Sequence, residues 1–159
     1  MSDPIAYFLT WTTYGTWLHG DFRGWVEKGR FDIQPPDPVR ETRDRGLMSD
    51  EVVVLEPAQR KLIEVTIGRH CEIRTWHLHA VNARTNHVHA VVSASVHPDV
   101  VMSQFKAWCS RRLSEQAGLR ESAKTKNGRK RWFTEHGSTK WINDDDYFEN
   151  AVRYVNEGQ

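Results

Sequence analysis

The sequence "TNHVHAVV" (Thr85–Val92) contains the most informative pattern in this chain. Its apolar positions are typical of a buried β-strand, yet His87 and His89 stand one residue apart within it. Because strand side chains alternate between faces, both imidazoles project from the same face. A buried ring nitrogen costs free energy unless it finds a partner. That partner is either a hydrogen-bonding group of the fold or a metal ion, for which two rings fix neighbouring coordination positions.

A second H-x-H pair, His77 and His79, precedes the first in "WHLHAV". This pair is either a rival metal site or a supporting shell for the first, and hydrogen-bonded strand histidines are the favoured interpretation. The four histidines together leave open a metal protein of another class, such as a cation-dependent hydrolase. The two cysteines, Cys71 and Cys109, are too few for a disulfide framework or a cysteine-rich zinc site.

Length and composition indicate one globular domain covering residues 1–159. Hydrophobic residues make up 38% of the chain and charged residues 27%, which is typical of a soluble protein. We see no signal-peptide pattern and no run of 18 apolar residues. We therefore expect a protein of a reducing cytoplasmic setting, with no membrane partner.

Four segments have the composition of β-strands. The histidine strand is "NHVHAVVSA", and a short polar turn joins it to "CEIRTWHLHAVNA" (Cys71–Ala83) in a predicted hairpin. A first strand is predicted in "AYFLTWTTYG" (Ala6–Gly15), and a short one within "RWFTEHGSTKWI". Residues from about 19 to 56 have glycines, prolines and mixed charge without a sustained period, which predicts a long surface excursion.

Three segments have helical periodicity and end signals. "EPAQRKLIEVTIGRH" has Pro57 in its first turn, and "HPDVVMSQFKAWCSRRLSEQAG" is closed by Gly118. The last helix, "NDDDYFENAVRYVNEG", has Asn143 as its predicted N-cap. The order β-α-β-β-α-β-α predicts an α+β fold, a ferredoxin-like antiparallel sheet (β-α-β-β-α-β) with an extra C-terminal helix.

The last helix carries two tyrosines, Tyr147 and Tyr154, seven residues apart and so nearly on one line of the helix. Both lie at the edge of its apolar stripe, where a tyrosine either caps the core or presents its phenol to a cleft. An ionised phenol is a nucleophile and also a good leaving group, which suits a reversible covalent step on a phosphodiester. The spacing alone does not choose between the two tyrosines.

These features together resemble the HUH single-tyrosine transposases, which include small insertion-sequence transposases and REP-associated tyrosine transposases. The resemblance rests on "NHVHAVV" and on the helical "AVRYVNEGQ" near the C-terminus. "YFLTWTTYGTWLHGD" and "EHGSTKWINDDDYFENAVRYV" are similar to one branch of that superfamily. The resemblance covers most of the chain except the excursion and the basic segment after Gly118.

The resemblance implies a metal-dependent single-stranded DNA endonuclease and strand-transferase with a 5′-phosphotyrosine intermediate. His87 and His89 would bind a divalent cation, Mg²⁺ or Mn²⁺, and Tyr154 would be the nucleophile. The family usually places a glutamine four residues after its tyrosine as the third ligand. Here that position is Gly158, and Gln159 follows at position five, about 140° from Tyr154 on an ideal helix. A left-handed glycine would let the next residue swing, so Gln159 is the predicted third ligand.

The implied partner is single-stranded or hairpin DNA, which basic grooves and aromatic platforms hold. The net charge is only +1, but the segment from Lys106 to Arg131 contains nine basic residues and only two acidic ones. The predicted phosphate contacts are Lys106, Arg111, Arg112, Lys130 and Arg131. The predicted stacking or cleft-closing residues are Trp11, Tyr14, Trp17 and Trp25.

Two further expectations follow from the resemblance. A homodimer is expected, because each cut end needs a partner end. A non-catalytic hairpin-DNA binder on the same scaffold stays open as an alternative, because the glutamine is shifted by one residue.

Overall fold

The computed structural model describes residues 4–15, 52–118 and 131–157. Its strands are β1 (Ala6–Thr12), β2 (His77–Ala83), β3 (His87–Ser93) and β4 (Ser138–Ile142). Its helices are α1 (Pro57–Arg74), α2 (Pro98–Gln116) and α3 (Asp145–Glu157). The four strands form one sheet in the order β2-β3-β1-β4, and every neighbouring pair is antiparallel. The predicted α+β, ferredoxin-like arrangement with an extra C-terminal helix is confirmed.

The alternation of side chains along β3 separates the two faces of the sheet. Val88 and Val92 lie in the larger core, between the sheet and helices α1 and α2. Val91 lies in a second, smaller cluster beneath α3. Because His87 and His89 share the parity of Val91, their imidazoles lie on the face that α3 covers.

The larger core fills the α1 and α2 face of the sheet with aliphatic and aromatic side chains that exclude water. Its fully buried members include Leu9, Trp11, Ile63, Ile67, Phe105 and Leu113. In the described part of the chain, no helix is long and apolar enough to cross a membrane.

Helix α1 is one turn longer than the sequence predicted, so the strand predicted from Cys71 was wrong at its start. Cys71 lies four residues after Ile67, and both are buried on the same helical stripe. The C-cap residue is Thr75, whose φ of 61° is left-handed, and the amide of Trp76 donates to the carbonyl of Cys71 at 2.8 Å. Burial of the Cys71 side chain therefore decided the boundary.

The end of the predicted excursion belongs to the core. Val53 and Leu55 are buried, and their amides donate to the carbonyls of Tyr14 and Thr85, at 3.0 and 2.7 Å. Residues 19–51, the rest of the excursion, lie outside the described residues. The segment around Val53 therefore ties the end of β1 to the turn before β3.

The helix ends confirm one prediction and correct another. Gly118 has a φ of 70°, as expected of the left-handed residue just after α2. The N-cap of α3 is Asp144 and not the predicted Asn143, because the Asp144 carboxylate accepts the amide of Tyr147 at 2.7 Å. A carboxylate is favoured at a helix N-terminus, where the backbone amides have no helical partner.

We expect Gly137→Ala to destabilise the protein by about 1–3 kcal/mol, because a Cβ at this position has no room. It would lie 2.7 Å from the carbonyl oxygen of Thr10 and 2.8 Å from the sulfur of Met102. The matched control is Gly68→Ala in α1, where a Cβ meets nothing within 4 Å and should stabilise the helix by roughly 0.5–1 kcal/mol. Urea unfolding of both variants measures the difference, and equal stability would contradict the packing described here.

Candidate functional site

The two histidines of β3 lie side by side near the middle of the sheet. His89 is only 5% exposed and His87 is partly buried. Their ring centroids are 4.5 Å apart, with the ring planes at 73°. Because β3 is hydrogen-bonded to β1 on one side and β2 on the other, the backbone beneath both rings is held on both edges.

The Nδ1 atom of each ring has a hydrogen-bond partner from the fold. Nδ1 of His87 lies 2.7 Å from Oδ1 of Asn86, and Nδ1 of His89 lies 2.9 Å from the hydroxyl of Thr10. An amide oxygen only accepts, so His87 donates from Nδ1 and keeps its lone pair on Nε2. Thr10 stands opposite His89 in the β1–β3 pairing. Partners of this kind orient the imidazoles of metal sites.

The surroundings keep both rings neutral. Burial, together with the nearby charges of His87 and Arg84, lowers the pKa of His89 to about 4. Burial and the Arg84 guanidinium also lower the pKa of His87. A neutral imidazole is the form that offers a lone pair to a metal ion.

Helix α3 brings Tyr154 next to the histidine pair. The Tyr154 ring centroid is 5.4 Å from that of His89 and 6.0 Å from that of Phe8. The residue is 45% exposed, so its phenol is accessible from solvent. Tyr147, one heptad earlier, is partly buried against the apolar cluster beneath α3, which includes Ile142. The structure therefore separates the two tyrosines that their spacing alone left equivalent.

A residue that the sequence analysis missed, Asn82, connects β2 to α3. It stands directly opposite His89 in the β2–β3 pairing. Its side-chain amide donates to the carbonyl of Val155 at 2.9 Å, next in the chain to Tyr154. Alternation along a correctly bounded β2 would have placed Asn82 on this face, but its helix partner depends on where α3 docks.

The second histidine pair lies near the start of α3. The rings of His77 and His79 stack with centroids 4.3 Å apart, and His79 packs edge-on against Phe148. Nε2 of His79 lies 2.8 Å from the Ser93 hydroxyl, which donates its own proton to the carbonyl of Ile5 at 2.6 Å. His79 therefore donates to Ser93 and ties β2 to β3.

The four histidines do not form one metal site in the described part of the chain. Within residues 4–15, 52–118 and 131–157, no group of three or more His, Cys, Asp or Glu side chains could hold a metal ion. The predicted third ligand, Gln159, lies outside these ranges. The described donors are therefore the two neutral imidazoles of His87 and His89.

Two predicted DNA-binding residues have internal roles. Trp11 is 1% exposed and packs against Phe105 and Phe133, so its prediction as a stacking platform is wrong. The ammonium of Lys106 donates to the carbonyls of Thr134 and His136 at 2.9 and 3.0 Å, and burial lowers its pKa to about 8. Its role is to hold the segment before β4, which sequence alone did not indicate.

The other predicted DNA contacts are spread over the molecule. Arg111 and Arg112 lie on α2, on the opposite face of the sheet from the histidines, and both pair with Glu115. Tyr14 is partly buried, with the guanidinium carbon of Arg131 5.9 Å from its ring centroid. Lys130, Trp17 and Trp25 lie outside the described residues.

Comparisons with known proteins support the fold. No family model and no curated protein matches the sequence. A REP-associated tyrosine transposase solved bound to a REP hairpin is similar over 98% of this chain and 68% of its own, with a TM-score of 0.52 and 11% identity. A candidate transposase from Deinococcus radiodurans R1 is similar over 100% of this chain and 93% of its own, with a TM-score of 0.50 and 12% identity. The chain has the fold of these transposases.

We expect the neutral form of His87 to be the Nδ1–H tautomer, because its Nδ1 donates to Asn86. His97 is an internal control that should show the other tautomer. Its Nδ1 accepts a hydrogen bond from the amide of Asp99 at 3.1 Å, so its neutral form must carry the proton on Nε2. Long-range ¹H–¹⁵N spectra at pH 7.5 in EDTA distinguish the two tautomers. The same tautomer at both residues would contradict the orientation of the His87 ring.

Proposed function

We propose that this chain is an HUH single-tyrosine transposase, a metal-dependent endonuclease and strand-transferase acting on single-stranded DNA at hairpin-flanked ends. The observation that carries the proposal is the contact between Tyr154 and His89 on the sheet face that α3 covers. This contact places a solvent-accessible phenol beside a pair of neutral imidazoles. The fold that carries them is shared with transposases.

His87 and His89 would hold a divalent cation, Mg²⁺ or Mn²⁺, through Nε2. The donor set fits, because both rings share one face and the hydrogen bond of His87 to Asn86 leaves its Nε2 lone pair directed elsewhere. Gln159 is the proposed third ligand. When bound, the cation would supply Lewis acidity toward a non-bridging phosphate oxygen of the scissile bond.

Tyr154 performs the covalent step. Its phenol loses its proton, and the phenolate oxygen forms a bond to phosphorus as the bond from phosphorus to the 3′ oxygen breaks. The 3′ oxygen takes up a proton and leaves as a hydroxyl, while the 5′ phosphate stays on the tyrosine. One phosphate ester replaces another, so a 3′-hydroxyl from a different end can reverse the reaction and join two strands.

The proposed substrate is hairpin DNA with a single-stranded flank. The structural neighbour solved with a REP hairpin supports a partner of this kind. Arg131, which lies beside Tyr14 just after β1, is a proposed phosphate contact. Lys130 is proposed as a further phosphate contact from the sequence alone. Arg111 and Arg112 stay proposed contacts on the opposite face. We propose a homodimer working in the cytoplasm.

Tyr154→Phe should abolish a covalent protein–DNA adduct, because phenylalanine has no oxygen to attack phosphorus. Labelled single-stranded DNA carrying the hairpin that flanks the gene is incubated with Mn²⁺ or with EDTA and resolved on a denaturing protein gel. The matched control is Tyr147→Phe, which removes the same atom from the same helix and should keep the adduct. An adduct that survives Tyr154→Phe would overturn the assignment.

Two other results, one from that gel together with a DNA-binding assay and one from a zinc titration, would select the alternatives. DNA binding without an adduct in the wild type would favour a non-catalytic hairpin binder. Tight stoichiometric zinc, with Tyr154→Phe harmless to whatever activity is present, would favour a histidine-liganded metal protein of another class.

His87→Ala should lower adduct formation at limiting Mn²⁺ by roughly 10–100-fold while leaving hairpin affinity unchanged, since it removes one metal donor. The matched control is His77→Ala in the other H-x-H pair, which should have no effect on either quantity. Adduct rate against Mn²⁺ concentration and hairpin affinity by fluorescence anisotropy are the measurements. Equal loss in both variants would count against a metal site on β3.

A further inference from the structure

We infer that Asn82 is a positioning residue that fixes the C-terminal end of α3, and with it Tyr154, over the histidine pair. This inference rests on the proposed function for its catalytic consequence. Its structural part, the anchoring of α3 by Asn82, stands on contacts of the fold alone.

The hydrogen bond from Asn82 meets a need that the helix cannot meet itself. The last carbonyls of a helix lack partners within the helix, and Val155 is in the last turn of α3, which ends at Glu157. Val155 is 0% exposed, so water does not reach its carbonyl. The amide of Asn82 donates to that carbonyl at 2.9 Å. A buried carbonyl without a partner is costly, so the donor on β2 determines where this turn rests.

Apolar packing alone leaves one direction of movement open. Ala151 and Val155 are buried on the second apolar cluster, which holds α3 close to the sheet. Hydrophobic contact is non-directional, so it resists separation more than sliding along the helix axis. A hydrogen bond has preferred distance and angle. Asn82 therefore sets the position of the last turn along the axis.

The sheet places this anchor directly beside the chemistry. Asn82 on β2 is the register partner of His89 on β3. Its helix partner, Val155, is next in sequence to Tyr154. Asn82 thus connects the strand position of His89 to the helix position of Tyr154, the proposed nucleophile.

Tyr154 depends on this anchor for its own position. Its described contacts are ring contacts with His89 and Phe8, at centroid distances of 5.4 and 6.0 Å. Neither contact holds the phenol oxygen in one place. In-line attack on phosphorus is sensitive to such placement, and a shift of about 1 Å can cost on the order of a hundredfold in rate.

The test compares Asn82→Ala and Asn82→Asp with a control, Asn150→Ala, which removes an exposed asparagine from α3 itself. Single-turnover adduct formation is measured against hairpin concentration, together with hydrogen–deuterium exchange over residues 151–157. Aspartate keeps the size and one oxygen of asparagine but loses the N–H donor, and its charge repels the Val155 carbonyl.

For both Asn82 variants we expect the maximal adduct rate to fall roughly 10–100-fold, with half-saturating DNA unchanged. Exchange over residues 151–157 should rise in both variants. The control should match the wild type. A merely structural defect would instead weaken DNA binding and the rate together.

Three outcomes would overturn the inference. One is hydrogen–deuterium exchange over residues 151–157 that is as slow in Asn82→Ala as in the wild type. That result would show that α3 does not need the hydrogen bond from Asn82. Another is an active Asn82→Asp beside an inactive Asn82→Ala, which would make the side-chain oxygen, and not the N–H donor, the important group. The third is raised exchange with an unchanged rate. If the wild type forms no adduct, the proposed function fails, while hydrogen exchange still decides whether Asn82 anchors the helix.

Discussion

The antiparallel pairing of β3 between β1 and β2 is the constraint on which the rest of the structure depends. It sets which residues of β3 point toward α3 and which point into the larger core. A shift of one residue would move every side chain to the opposite face and bury His87 and His89 among aliphatic groups. The pairing also brings Thr10 to one side of His89 and Asn82 to the other.

The two faces of the sheet have different tasks. Helices α1 and α2 cover one face with an apolar core, which contains most of the buried hydrophobic residues of the described chain. Helix α3 covers the other face through a small cluster, and Thr10, Asn82, His87 and His89 lie on that same face. The proposed chemistry lies on the more thinly packed face, where a nucleophile and its substrate would have access. The larger core can then hold the strands rigid beneath the candidate site.

The errors of the sequence predictions have identifiable physical causes. Burial of Cys71 against the core extended α1 past the predicted boundary. A tryptophan such as Trp11 suits either a base-stacking surface or a hydrophobic core, and only its buried place in the sheet decided between these roles. In each case a distant part of the chain supplied the deciding contact.

The sequence by itself determined the order of the elements and the histidine face, because apolar periodicity and strand alternation are local properties. It also determined that a tyrosine-bearing helix follows the last strand. Only the tertiary structure decided which tyrosine lies beside His89, which hydrogen bonds orient the imidazoles, and that Asn82 holds the end of α3. These contacts join residues up to 79 positions apart. They depend on how the strands register and where the helix docks, and no local pattern encodes either.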